Sequence, residues 1–153
     1  MLKHPDIDCV FLNAGVQNRY IFADSSSFDL LKFNNEMTVN FTSVVALTHA
    51  FLPHLLKKEG KRGFIFTGTH LSLIPAPILP AYSASKAALD AFLVCLREQM
   101  RSTEVAVIHL SPPIVQSTSY PCTGLGFGML IRGQLNCMTL RWAPRLDVSL
   151  ACP

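Results

Sequence analysis

Short apolar runs alternate with longer stretches of helical periodicity along most of this chain. Cys9-Val10-Phe11-Leu12 is a compact apolar run closed by Asn13-Ala14-Gly15, the pattern of a parallel strand buried on both faces. Val16 to Ser27 is polar and turn-rich. From about Phe28 to Lys57 the pattern is helical: Val44, Leu47, Phe51 and Leu55 share a face, Asn40 projects on the same side, and Pro53 bends the run or marks its final turns. Phe64 to Thr67 predicts a second strand, Tyr82 to about Ser102 a second helix, and Val105 to Leu110 a third strand. Strand and helix in alternation predict an α/β fold with a parallel sheet and right-handed crossovers.

The stretch from Phe64 to Leu89 carries the chemistry. A strand leads into Thr67-Gly68-Thr69, then a Pro-rich loop, then a helix opening on Tyr82-Ser83-Ala84-Ser85-Lys86. Residues at i and i+4 stand one above the other on a helix, so the Lys86 ammonium reaches the space beside the Tyr82 phenol. A free Tyr titrates near pH 10, but a fixed cation favours the phenolate and makes the phenol a usable general acid or base. The same spacing arises by chance on solvated helix faces. Here both residues project onto the apolar stripe formed by Leu89, Phe92, Leu93, Leu96 and Met100, and an amine facing a core needs a reason. Thr69 adds a hydroxyl at the carboxyl end of a strand, where open α/β sheets place their ligand crevice. Asn40 on an apolar face needs partners, and a neighbouring backbone group would satisfy it.

Composition narrows the function classes. The chain has 153 residues, 50% of them hydrophobic and 15% charged, with a net charge of +3. One domain of 1–118 with a sizeable core and an unmatched tail of 119–153 is expected. No Lys/Arg run is interleaved with aromatics, which argues against nucleic acid. Lys57, Lys58, Lys61 and Arg62 cluster where a helix ends, the ordinary place for cations. Five cysteines without Cys-x-x-Cys indicate neither a disulfide framework nor a zinc site. Cys9 and Cys95 sit in apolar runs and are expected to pack as small hydrophobes. His49 and His54 lack the spacing of a ligand pair, so no metal is expected. With no signal core and no uninterrupted apolar run long enough for a bilayer, no membrane span is expected and a reducing, cytoplasmic setting is the default.

As an ordered set, these residues resemble the short-chain dehydrogenases/reductases. Tyr82-Ser83-Ala84-Ser85-Lys86 matches the family's Tyr-x-Ala-Ser-Lys, and Thr69 stands where its catalytic Ser stands. Asn13-Ala14-Gly15, Val39-Asn40 and Pro112-Pro113 follow the order of its Asn-Ala-Gly, Val-Asn and Pro-Gly. The resemblance covers roughly Asp6 to Thr118. It implies a doubly wound parallel sheet of Rossmann type and hydride transfer between NAD or NADP and a small-molecule carbonyl or alcohol substrate. Tyr82 would move the proton. Lys86 would lower the Tyr82 pKa and hold the nicotinamide ribose, and Thr69 would orient the substrate oxygen. Asn40 would hold a water linking Lys86 to solvent. Asn13, Ala14 and Gly15 would pass under the adenosine ribose, and Pro112 and Ile114 would lie near the nicotinamide. The helices of 28–57 and 82–102 resemble those through which the family dimerises, so a homo- or hetero-oligomer is expected.

The departures are as specific. The family opens on a strand and a Gly-rich turn that holds the cofactor pyrophosphate, and no such element stands before Asp6, so the sheet is expected to be incomplete, lacking its first strands. Gly124-Leu125-Gly126-Phe127-Gly128 follows Pro121-Cys122-Thr123 rather than a strand and is no substitute. Pro113 replaces the Gly of Pro-Gly, and Ser119 to Pro153 has no clear periodicity. Cys9 to Leu12 would then present an open, apolar edge. Three outcomes are compatible with the sequence: a working oxidoreductase, a non-catalytic piece that binds or impairs a full-length partner, and a product without function of its own.

Overall fold

The computed structural model describes residues 6–112. Pro113, Ile114 and the tail of 119–153 lie outside the described residues. Within them, β1 (Cys9–Leu12), β2 (Arg62–Thr67) and β3 (Val105–Leu110) form a parallel sheet in the order β1-β2-β3. α1 (Leu30–Met37) runs through a π-helical turn, Thr38–Thr42, into α2 (Ser43–Lys57). A 3-10 turn, His70–Ser72, follows β2 and leads to α3 (Pro80–Gln99).

The strand positions expected from the apolar runs hold, with β2 starting earlier, at Arg62. The helix boundaries follow local chemistry. Asp29 caps α1, its carboxylate accepting from the N–H of Leu31 and Lys32 at 2.9 and 3.2 Å. Pro80 takes the first position of α3, where its missing N–H costs nothing.

Register puts Val10, Phe64 and Val107 side by side on one face. There they pack with Phe66, Val44 and Leu55 from α2, and Leu89, Leu93 and Leu96 from α3, into the core. Phe92 and Met100 pack against its border. The opposite face is open among the described residues. Phe11 is 55% exposed, so β1 is covered on one face and not on two as its unbroken apolar run predicts.

Two further expectations change for the same reason. Leu47 is exposed while Thr48 is buried, because Leu47 projects roughly 60° from Val44 at 100° per residue and falls at the border of the stripe. Thr48 satisfies its hydroxyl on the Val44 carbonyl at 2.8 Å. Cys9 and Cys95 are exposed, not packed; Cys9 sits on the open side of β1, and Cys95 points away between inward-facing Leu93 and Leu96. The continuous helix Leu30–Lys57 is long and apolar enough to cross a membrane by length and composition alone. In this structure its Val44, Thr48 and Leu55 are buried.

Candidate active site

β2 delivers its carbonyl groups to the amino-terminal part of α3. Lys86 is 3% exposed, and its Nζ donates to the Thr67 carbonyl at 2.8 Å. The same ammonium lies 5.8 Å from the centre of the Tyr82 ring, in cation–π range. Burial pushes the Lys86 pKa down, and the Asp90 carboxylate pushes it back up. Tyr82 is half-buried, beside the cation that its spacing predicts.

Thr67 is tied in a second direction, its hydroxyl donating to Asn13 Oδ1 at 2.8 Å. Asn13 therefore anchors the exposed segment Asn13-Ala14-Gly15 to the end of β2. Gly15 closes on the centre: a Cβ there would stand 3.5 Å from Asn40 Oδ1 and 3.9 Å from Lys86 Nζ. Thr69 lies just past β2 and is partly buried. Its Oγ1 accepts the Leu71 N–H at 3.4 Å, capping the 3-10 turn, and its carbonyl accepts the Ser72 hydroxyl at 2.8 Å. The Pro-rich loop beyond is pinned by the Ala76 N–H donating to Ser83 Oγ at 3.2 Å.

Asn40 sits at the middle of the π-helical turn, fully buried. Its Oδ1 accepts from Val16 N and its Nδ2 donates to Val16 O, both at 2.8 Å; Nδ2 also donates to Ser85 Oγ at 3.1 Å. Ser85 passes the link on by donating to the Tyr82 carbonyl at 2.8 Å. The amide thus satisfies a backbone segment, the first of the two alternatives for Asn40. π-Helical turns are often found at functional sites.

Sequence reasoning missed Glu36. It is fully buried, and its Oε2 accepts from Asn18 N and Asn18 Nδ2 at 3.0 Å each and from the Tyr20 hydroxyl at 3.3 Å. Burial and the neighbouring Glu36 charge push the Tyr20 pKa up. Glu36 and Asn40 are one helical turn apart, about 6 Å along the axis, a span that two extended residues also cover. Helix positions 36 and 40 thus grip chain positions 18 and 16. The signal was present: an acid at i−4 from Asn40 on an apolar helix face.

Contacts join Lys86 to the Tyr82 ring and to Thr67, Thr67 to Asn13, and Gly15 to Asn40 and Lys86. They lie at the carboxyl ends of β1 and β2, the crevice position of open α/β sheets. Thr69 follows β2 at the same end, with its hydroxyl turned to Leu71 N. Pro112, partly buried, follows β3 at the same end. Among the described residues no group of three or more His, Cys, Asp or Glu could hold a metal ion.

A family profile described as short chain dehydrogenase matches residues 1–121. The chain belongs to the short-chain dehydrogenase/reductase family. Among similar proteins, the uncharacterized oxidoreductase DltE of Bacillus subtilis is 33% identical over 115 residues, covering 75% of this chain and 45% of the relative. Dehydrogenase/reductase SDR family member 7B of Rattus norvegicus is 33% identical over 113 residues, covering 72% and 33%. The chain spans less than half the length of these relatives.

Solved short-chain dehydrogenase/reductase folds superpose well. A 3-ketoacyl-(acyl-carrier-protein) reductase from Brucella melitensis complexed with NADH gives a TM-score of 0.63 at 20% identity, over 69% of this chain and 44% of the other. An NADPH-bound short chain oxidoreductase from Pseudomonas aeruginosa PAO1, with an atypical catalytic center, gives 0.65 at 22%, over 73% and 42%. At these identities the likeness is one of fold. The α/β architecture with a partial Rossmann-like sheet is thereby established for this family member.

Proposed function

We propose that this chain carries the acid/base half of an NAD(P)-dependent oxidoreductase site, with Tyr82 as the proton-transferring group. The carrying observation is the buried Lys86 ammonium, held on the Thr67 carbonyl beside the Tyr82 ring. A nicotinamide cofactor, when bound, supplies or accepts the hydride at the carbonyl carbon. Tyr82 gives the oxygen its proton in the reducing direction and removes it in the other. Lys86 favours the phenolate by its charge, and Thr69 offers its hydroxyl to the substrate oxygen once that hydroxyl turns from its capping role.

The residues fit the ribose end of such a cofactor. The absence of a side chain on Gly15 keeps space open beside Lys86 Nζ and Asn40, and Lys86 donates hydrogen bonds suited to sugar hydroxyls. Asn13, Ala14, Gly15 and Pro112 would border the same group. The described residues hold no Gly-rich turn of the kind that receives a pyrophosphate. A cytoplasmic setting suits the exposed thiols of Cys9 and Cys95.

A second function is favoured by a different observation: the open side of β1, with Phe11 exposed, and the exposed Leu31 and Val94 on the helices of 28–57 and 82–102. Such surfaces suit a partner chain, either a second copy or a full-length relative whose activity the piece would impair.

A thermal melt of residues 1–153 with excess NADH or NADPH separates the two. Ligand that binds only the native state raises the midpoint by mass action. An upward shift, followed by carbonyl reduction that Tyr82→Phe abolishes, is expected for the oxidoreductase. A cooperative melt without a shift refutes nucleotide binding by this chain alone.

A further inference from the structure

Asp90 lies one turn beyond Lys86 on α3, so Tyr82, Lys86 and Asp90 stand in file at i, i+4 and i+8. From β3, on the covered face of the sheet, His109 brings Nε2 to 3.3 Å from Asp90 Oδ1. Their side chains are only 17% and 26% exposed. Asp90 Oδ1 is itself buried and makes no hydrogen bond, so the 3.3 Å approach is close but not an aligned hydrogen bond. Ser111 Oγ stands 3.4 Å from the same nitrogen.

The imidazole is also wedged against the backbone of the site. A Cβ on Gly68 would overlap the His109 ring. Gly68 separates Thr67, whose carbonyl holds Lys86, from Thr69. His109 therefore packs on the segment that fixes the ammonium, while the carboxylate it meets lies one turn from that ammonium.

We propose that Asp90 and His109 are positioning residues for Lys86, a carboxylate–imidazole couple that keeps the buried ammonium charged and aligned beside Tyr82. It rests on Tyr82 and Lys86 being the acid/base pair. A buried ammonium with a carbonyl as its hydrogen-bond acceptor loses much of its hydration, and Asp90 supplies the opposite charge that offsets that loss. The groups that act on His109 are Asp90, Lys86 and Arg97 from α3, Ser111 from its own segment, and the Gly68 backbone behind it. Burial, Arg97 and Lys86 push the His109 pKa below its ordinary 6.5, and Asp90 opposes them. At neutral pH the imidazole is uncharged and the carboxylate acts fully on Lys86. On acidification through the His109 midpoint an imidazolium forms, engages Asp90, and adds a like charge near Lys86.

The test is a pH titration of the full chain by NMR, with carbon labels at lysine Cε and on histidine rings, which needs no bound nucleotide. Asp90→Asn is expected to move the Lys86 and His109 midpoints downward, with Asp90→Glu restoring Lys86. Lys86→Met is expected to move the His109 midpoint upward. His109→Gln is expected to remove the low-pH inflection from the Lys86 signal, and it serves alone if Asp90→Asn does not fold. A Lys86 midpoint unmoved by Asp90→Asn, or a His109 midpoint unmoved by Lys86→Met, overturns the couple. The nucleotide melt judges the acid/base pair separately, since a folded chain without a nucleotide shift would leave these midpoints coupled.

Discussion

Asn40→Ala is the sharpest test of how this site is built. The amide makes three hydrogen bonds, two to Val16 at 2.8 Å and one to Ser85 at 3.1 Å, from a fully buried position. Each bond contributes about 1 kcal/mol net, and a buried polar group left without a partner costs about 1–3 kcal/mol. Val16 is 39% exposed, so water can reach its freed N–H and carbonyl, and Ser85 keeps its bond to the Tyr82 carbonyl; the cost is therefore chiefly that of the three lost bonds. A destabilisation of about 3 kcal/mol follows from these magnitudes, equivalent to roughly 10–20 °C in midpoint for a domain of this size. Urea unfolding measures the first quantity, and hydrogen exchange of the Val16 amide locates it. The amide should lose its protection while those of β2 and β3 follow global stability. A loss below about 0.5 kcal/mol, the range of ordinary surface changes, or an unaltered Val16 amide, would refute the clamp.

Two further outcomes follow from the same geometry. Lys86→Met should remove a rise of stability with pH: burial lowers the folded pKa beneath the ordinary 10.5, so between the two midpoints the unfolded chain holds a proton that the folded chain has released, and stability climbs with pH there. Denaturant curves at neutral pH and near pH 10 should differ in the wild type by more than in the variant; equal differences would contradict a desolvated ammonium. Gly68→Ala should destabilise by more than the usual Gly→Ala change, since its Cβ would overlap His109, with overpacking costs of about 1–3 kcal/mol. A neutral or stabilising result in thermal melts, or full relief absent in Gly68→Ala/His109→Ala, would show that the ring is not wedged there.

The local code of the chain fixed more than its elements. Cys9–Leu12 and Val105–Leu110 are strands over the residues that their apolar runs predict, because short runs ended by Asn13 or Ser111 leave little choice of boundary. Tyr82 and Lys86 meet because helical spacing alone brings i and i+4 together. The order of Asn13-Ala14-Gly15, Asn40, Thr69, Tyr82 and Lys86 along the chain resembles that of the family without reference to any contact. The tertiary structure decided what spacing cannot encode. The grip of Glu36 and Asn40 on Asn18 and Val16 depends on how a loop lies across a helix, and the meeting of Asp90 with His109 depends on the packing of α3 over β3. Exposure of Phe11, Leu47 and Cys95 was likewise beyond reach, since an apolar residue is buried only if another element comes to cover it. Periodicity reports which side of an element a residue occupies; which partner waits on that side is a property of the assembled chain.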